Sequence, residues 1–286
     1  MSEPTLIGAG RSEIVWVTGP DAISFLDGLL SQSIARIPIG GTARSLLLAP
    51  NGKLRASLFV LRDDNRVGLV CDAGRSGVVA GDLSRFKIRV DVQIAAATEP
   101  VWEVWGSGAA AAVGDVPPAG SWADGPTRFR MPFRHVATER IVLVGDTPPG
   151  ELAPPAALEA IRIAAGEPVM GVDLDDGTIP QEAGDVGDAV DFTKGCYLGQ
   201  ELVARIASRG HVNRLLRGLV VDGAAPEPGA EIIRDGKVVG AVTSAAESEA
   251  RQSAVALAMI RVEVEPGARV VVAGARGQIV DLPMSS

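Results

Sequence analysis

Past residue 212 the chain breaks into six short apolar runs, Leu216–Val221, Glu231–Arg234, Lys237–Thr243, Ala254–Val262, Val270–Val272 and Gln278–Asp281, separated by turn residues. Asp235-Gly236 between two of them is a hairpin turn. Strands this short lie at close, regular spacing. They predict a small β-barrel or sandwich over residues 212–286, large enough to fold as a unit.

The first two thirds predict a different texture. Glu13–Thr18 alternates as a strand, Gly19-Pro20 opens a helix with Ile23, Leu26, Leu29 and Leu30 on its buried face, and Asn51-Gly52 joins strands Ser45–Ala49 and Leu54–Leu61 as a hairpin. Strand Val67–Cys71, helix Arg75–Phe86 and strand Ile88–Ile94 follow, then an Ala/Gly/Pro-rich connection over 109–132, strand His135–Val144 and helix Ala156–Ala165. The class is α+β, with antiparallel sheets and helices, not successive βαβ units.

The 286 residues suit two or three domains, and the net charge of −8 argues against a phosphate-neutralising surface, so nucleic acid is not expected as a partner. Two cysteines, Cys71 and Cys196, and two histidines, His135 and His211, make neither a disulfide framework nor a structural zinc site. No metal site is expected. The start of the chain lacks a signal-peptide pattern and no apolar run is long enough to span a bilayer, so no membrane is expected and a cytoplasmic setting is.

Several patterns invite chemistry and fail on context. Gly8-Ala9-Gly10 precedes a strand where a dinucleotide fingerprint would follow one, and Gly274-Ala275-Arg276-Gly277 reads as a turn. Asp173, Asp175 and Asp176 depart from a calcium loop and predict a solvated acidic loop. His135 and His211 have no partner fixed by spacing, though His211 directly follows a predicted helix.

The densest cluster of reactive and special residues is Lys194-Gly195-Cys196-Tyr197-Leu198-Gly199-Gln200-Glu201. A strand over Asp188–Phe192 is expected before it, and a helix carrying Leu198, Leu202, Val203 and Ile206 after it, stopping at Gly210. Cys196 then falls at or just before the first helical turn. A helix terminus contributes roughly 0.3–1 kcal/mol, less than one pKa unit, so Lys194 or another cation would have to complete the activation of the thiol. A core cysteine is the bland alternative, but a core position needs none of the surrounding Gly, Lys, Tyr, Gln and Glu.

This octapeptide resembles the signature of the YgfZ family, folate-binding proteins implicated in iron–sulfur cluster assembly or repair. Val17-Thr18-Gly19-Pro20-Asp21-Ala22, Pro50-Asn51-Gly52-Lys53, Ala165-Gly166-Glu167-Pro168, Ile179-Pro180-Gln181-Glu182, Arg205 and Arg209-Gly210 extend the likeness. The resemblance implies the fold of the glycine-cleavage aminomethyltransferase: a discontinuous folate-binding region over 1–211, with 44–134 as an inserted α+β subdomain, and a C-terminal barrel over 212–286. It implies tetrahydrofolate as cofactor, Arg162 as a folate-holding arginine, and iron–sulfur proteins or their assembly machinery as partners. Cys196 and Lys194 would carry the chemistry, Gly195 and Gly199 permit the turn, and Tyr197, Gln200 and Glu201 position a partner group or hold the loop. The aspartate pattern of an aminomethyltransferase is not evident, and Asp72 lies out of its register. Folate-dependent one-carbon transfer or demethylation is therefore the alternative function.

Overall fold

The computed structural model describes residues 5–124, 127–132, 139–145, 147–184, 186–249 and 251–284. Strands β1 (Leu6–Ala9) and β2 (Ser12–Thr18) open it, followed by α1 (Ala22–Asp27). A meander of β3 (Thr42–Leu48), β4 (Leu54–Arg62) and β5 (Arg66–Asp72) leads to α2 (Ser76–Ser84) and β6 (Gln93–Ala96). These strands form a five-stranded antiparallel sheet in the order β3-β4-β5-β2-β6. Next come β7 (Val101–Trp105), α3 (Ala109–Val113), β8 (Trp122–Ala123), β9 (Arg128–Arg130) and β10 (Arg140–Val144), which with β1 build a second sheet, β1-β7-β10-β9-β8.

The first sheet is buried on both faces, which explains why β4 and β5 read as almost unbroken apolar runs. Successive side chains alternate between faces. Val67, Leu69 and Cys71 of β5 join Val15, Val17, Leu26, Val79 and Leu83 in a core under α1 and α2. Val70, between them, packs instead with Ile14, Phe59, Phe129 and Val142 against the second sheet. Each fully buried side chain of this kind contributes about 1.5–3 kcal/mol.

Helix α4 (Pro155–Ala165) then crosses to the C-terminal unit, with Gly166 in the left-handed conformation ending it. After α5 (Gln200–Arg209), strands β11 (Arg214–Val221), β12 (Glu231–Arg234), β13 (Lys237–Ser248), β14 (Ser253–Arg261), β15 (Arg269–Val272) and β16 (Ala275–Val280) close into a six-stranded barrel. Its interior is small and apolar, with Ala254, Ala256 and Ala258 alternating along β14 against Val242, Leu219 and Ile279.

Four expectations change. Residues 44–134 are not separable: β2 pairs with β5 and β1 with β7, so both sheets draw on chain from either side of residue 44. The strand expected over 88–94 is confined to Gln93–Ala96, because Arg89 takes φ 55° and breaks the extended path. The connection over 109–132 contains α3, β8 and β9. Asp188–Phe192 is turn, not strand: Asp191 Oδ1 accepts from the Thr193 N–H and hydroxyl, a local bond that competes with sheet pairing. The strand expected from His135 is described only from Arg140; His135 lies outside the described residues.

Candidate functional site: an arginine-lined cavity and an exposed thiol

Where the two sheets, α4 and the segment after it meet, a cleft of ≈ 580 Å³ including its open mouth is left, with ≈ 50 Å³ clear of the walls. Four guanidiniums line it, from Arg11, Arg44, Arg140 and Arg162, together with the carboxylates of Asp72 and Glu167 and the apolar surfaces of Phe59, Trp105 and Met131.

The arginines are held from behind. Arg140 donates from Nε (3.0 Å) and Nη2 (3.1 Å) to Glu103, a fully buried carboxylate that also accepts from Ser12 Oγ (2.7 Å) and Trp105 Nε1 (3.0 Å). Burial by itself would raise the Glu103 pKa; the Arg140 charge and these hydrogen bonds outweigh it and hold the carboxyl below the usual carboxylate range. Arg44 and Arg140 both face Glu167 Oε1, at 3.6 and 3.9 Å. Asp72, at the end of β5, accepts from the Met170 N–H at 2.9 Å. Cys71 beside it is buried, and desolvation pushes its thiol up to about 12.

Arg162 does more than line the cavity. Its side chain is 3% exposed; Nη1 donates to Asp173 Oδ2 (2.6 Å) and to the Glu167 carbonyl (2.8 Å), while Nε and Nη2 donate to Glu159. Asp173 is the other half of this joint. Its Oδ2 also takes the Val169 N–H (3.0 Å), and its Oδ1 takes both the Thr243 and Ser244 hydroxyls at 2.6 Å. Those hydroxyls can converge because β13 carries a register shift between Val242 and Ser244. Asp173 is thus buried between α4 and the barrel, not part of a solvated acidic loop.

The octapeptide lies apart from the residues that line this cleft. It forms a short arch. Lys194 is the first post: Nζ donates to the carbonyls of Asp27 (2.6 Å), Leu30 (2.8 Å) and Gln32 (2.9 Å), and its side chain is 2% exposed. Desolvation lowers its pKa, with Asp27 opposing. Tyr197 is the second post, buried among Leu46, Leu48, Leu54 and Val203. Between them Gly195 and Cys196 are exposed. Gln200 Oε1 accepts the Tyr197 N–H at 3.2 Å, and Glu201 is exposed in the first turn of α5, where a carboxylate favours the helix.

The helix begins at Gln200 with Gly199 as its N-cap, so Cys196 stands before the first turn and not in it. Gly199 has φ +77°, and a Cβ there would lie 2.5 Å from the Ala49 carbonyl oxygen and 3.1 Å from the Gly52 Cα. Gly52, at φ +81°, is equally tight against Leu202 and the Gly199 carbonyl. The hairpin tip and the helix start therefore meet backbone to backbone. Gly195 differs: nothing comes within 4 Å of a Cβ built on it, so it permits no close approach.

Of the residues the sequence singles out, Arg162 lies in the cleft lining and Lys194, Gly195, Cys196 and Tyr197 lie in the arch. Sequence patterns do not single out Arg11, Arg44, Glu103, Trp105 and Arg140, which come from separate strands and loops and share no spacing, and they give Glu167 only as part of Ala165-Gly166-Glu167-Pro168. The one available signal was a buried-strand pattern interrupted by charge, as in Trp102-Glu103-Val104. Arg205 and His211 are exposed, the latter beside Asn213, Arg214 and Arg261 in a surface recess.

The fold is that of the aminomethyltransferases. The chain superposes on glycine cleavage system aminomethyltransferase T from Bartonella henselae with a TM-score of 0.84 at 20% identity, covering 98% of this chain and 86% of that one. Residues 214–284 match the glycine cleavage T-protein C-terminal barrel domain. At the family level the chain is similar to the iron–sulfur cluster assembly factor IBA57 homologues. It is 30% identical over 233 residues to the mitochondrial homologue of Pyricularia oryzae, covering 75% of this chain and a little over half, 57%, of that protein. It is 26% identical over 265 residues to the tRNA-modifying protein YgfZ of Yersinia enterocolitica, covering 84% of this chain and 80% of that one. The similarity is thus to the IBA57-related group, of which bacterial YgfZ is one relative.

Proposed function

We propose that this chain is a folate-binding accessory protein for iron–sulfur cluster assembly or repair, with Cys196 as its working thiol. The observation that carries this is the exposure of Cys196 on an arch anchored at both ends, a construction a core cysteine has no use for. The names of its IBA57-type relatives support the cluster-assembly setting. One thiol cannot complete a four-thiolate cluster site, so the remaining ligands come from a partner protein.

The cavity suits tetrahydrofolate chemically. Arg11, Arg44 and Arg140 bring guanidinium charge to the wall, which suits a carboxylate. Arg162, its Nε, Nη1 and Nη2 already donating to Glu159, Asp173 and the Glu167 carbonyl, braces that wall. Asp72 and Glu167 can accept from a pterin, and Trp105, Phe59 and Met131 offer apolar surface. With Glu103, Glu159 and Asp173 behind the wall the charges nearly balance, so directed donors and not net field would hold an anion. Entry of a ring system requires wall side chains to move apart. Tetrahydrofolate, when bound, supplies a one-carbon carrier; the residues named here bind and orient it.

Titration of tetrahydrofolate into the protein should quench Trp105 saturably, and Arg140→Met should weaken binding at least tenfold. In cells lacking the protein, Cys196→Ser should fail to restore iron–sulfur enzyme activity; full restoration overturns the role of the thiol. One observation favours the alternative of one-carbon transfer or demethylation: Asp72 lines the cavity, where sequence register had set it aside. Turnover of aminomethyl or N-methyl donors, abolished by Asp72→Asn, would establish it.

A further inference from the structure

Lys194 is the residue sequence reasoning cast as the electrostatic activator of Cys196. Its surroundings assign it other work. An ammonium has three N–H donors and no acceptor, and all three are matched by main-chain carbonyls, those of Asp27, Leu30 and Gln32, at 2.6–2.9 Å. The Asp27 carboxylate stands 3.8 Å away and the Tyr197 ring centroid 5.5 Å away. Carbonyl dipoles directed at the charge on three sides reduce the field it can exert on anything beyond them.

The turn that supplies these carbonyls is built without the lysine. Asp27 Oδ1 accepts from the Ile34 N–H at 2.7 Å and from Ser33 Oγ and the Ala35 N–H at 3.3 Å. Ser31 Oγ accepts the Leu46 N–H and donates to the Ala189 carbonyl, which fastens the turn to β3 and to the segment before the arch. The cage is therefore preformed, and the lysine side chain plugs into it.

We infer that Lys194 is a positioning residue, a cationic plug in a carbonyl cage that fixes one end of the Cys196 arch, and that the cage accepts a small free ammonium ion when the side chain is removed. With Tyr197 as the opposite post and only Gly195 and Cys196 between, loss of the plug frees the half of the arch that holds the thiol in place. This inference rests on Cys196 as the working thiol, yet the measurements below report on the arch whatever that thiol serves.

The test uses the full chain as wild type and as Lys194→Ala. The first readout is chymotryptic cleavage after the buried Tyr197, scored by mass spectrometry at that bond in a Phe192→Ser background for both proteins, since the exposed Phe192 beside the arch would otherwise be cut in either. The substitution should speed that cleavage at least tenfold. Methylammonium at about 50 mM should restore most of the protection, and tetramethylammonium, of equal charge but without N–H donors, should not. The second readout is the pH midpoint of Cys196 alkylation by iodoacetamide, which should agree between the two proteins within about 0.3 pH unit. Unchanged cleavage, equal rescue by tetramethylammonium, or an alkylation midpoint raised by a full unit would overturn the inference, the last by returning Lys194 to an electrostatic role. If Lys194→Ala does not fold, Lys194→Gln takes its place. It keeps two N–H donors without charge and should be cleaved at an intermediate rate; cleavage at the wild-type rate would be equally fatal.

Discussion

Replacing Asp173 by alanine removes one carboxylate that accepts from four donors. Arg162, 3% exposed, keeps Glu159 and the Glu167 carbonyl but loses its most buried partner; Thr243 Oγ1 falls back on the Leu257 carbonyl at 3.0 Å, and Ser244 Oγ and the Val169 N–H lose theirs. Breaking a buried ion pair by removing one member costs about 3–5 kcal/mol. Unpaired neutral donors cost roughly 1–3 kcal/mol each, but a water filling the vacated space can serve several, so the terms do not add. The expected loss is about 3–5 kcal/mol, a large part of the 5–15 kcal/mol typical of a folded protein. The location of the damage is as telling as its size. Asp173 joins α4 to the barrel, and all four tryptophans, Trp16, Trp102, Trp105 and Trp122, precede the barrel. Tryptophan fluorescence therefore follows the two sheets, while far-UV circular dichroism follows the barrel as well. In urea the wild type should give coincident midpoints and Asp173→Ala separated ones. Arg162→Met/Asp173→Leu, which removes both charges, should be less destabilised than Asp173→Ala. A loss below about 1 kcal/mol with coincident midpoints would refute the idea that this joint holds the two units together.

The two glycines of the arch should part company. Gly199→Ala places a Cβ in a left-handed residue and 2.5 Å from a carbonyl oxygen, so a loss of about 1–2 kcal/mol or more is expected, while Gly195→Ala should stay within about 0.5 kcal/mol in urea unfolding. Native protein treated with iodoacetamide should be modified at Cys196 alone, because Cys71 is buried with a thiol pKa pushed up to about 12; peptide mass spectrometry reads this directly. Burial works to raise the Glu159 pKa, but hydrogen bonds from Arg162 and Arg11 hold it below the ordinary value. The stabilisation it contributes is then complete above the unfolded value of about 4.3 and is lost as pH falls through the folded value. The stability gap between wild type and Glu159→Gln should accordingly be constant near neutrality and close as the pH drops below about 4.

What the sequence determined by itself was whatever is encoded locally or by periodicity. Strand β12 matches its expected bounds residue for residue, and the hairpin at Asn51-Gly52 and the helix over 155–165 also follow from short-range patterns. The octapeptide was legible because its glycines, lysine and thiol are contiguous. What each residue does was not. Lys194 meets its carbonyls at a sequence distance of more than 160 residues, Asp173 meets Thr243 and Ser244 across 70, and Glu103 meets Arg140 across 37. No periodicity reports such pairings, because the energy of burying a charge is decided by partners that only folding brings together. The cavity is the extreme case, since its arginines come from elements that share no pattern. Tertiary structure alone separated the roles of two glycines four residues apart: Gly199 pressed against the hairpin tip, and Gly195 facing open space beside the thiol.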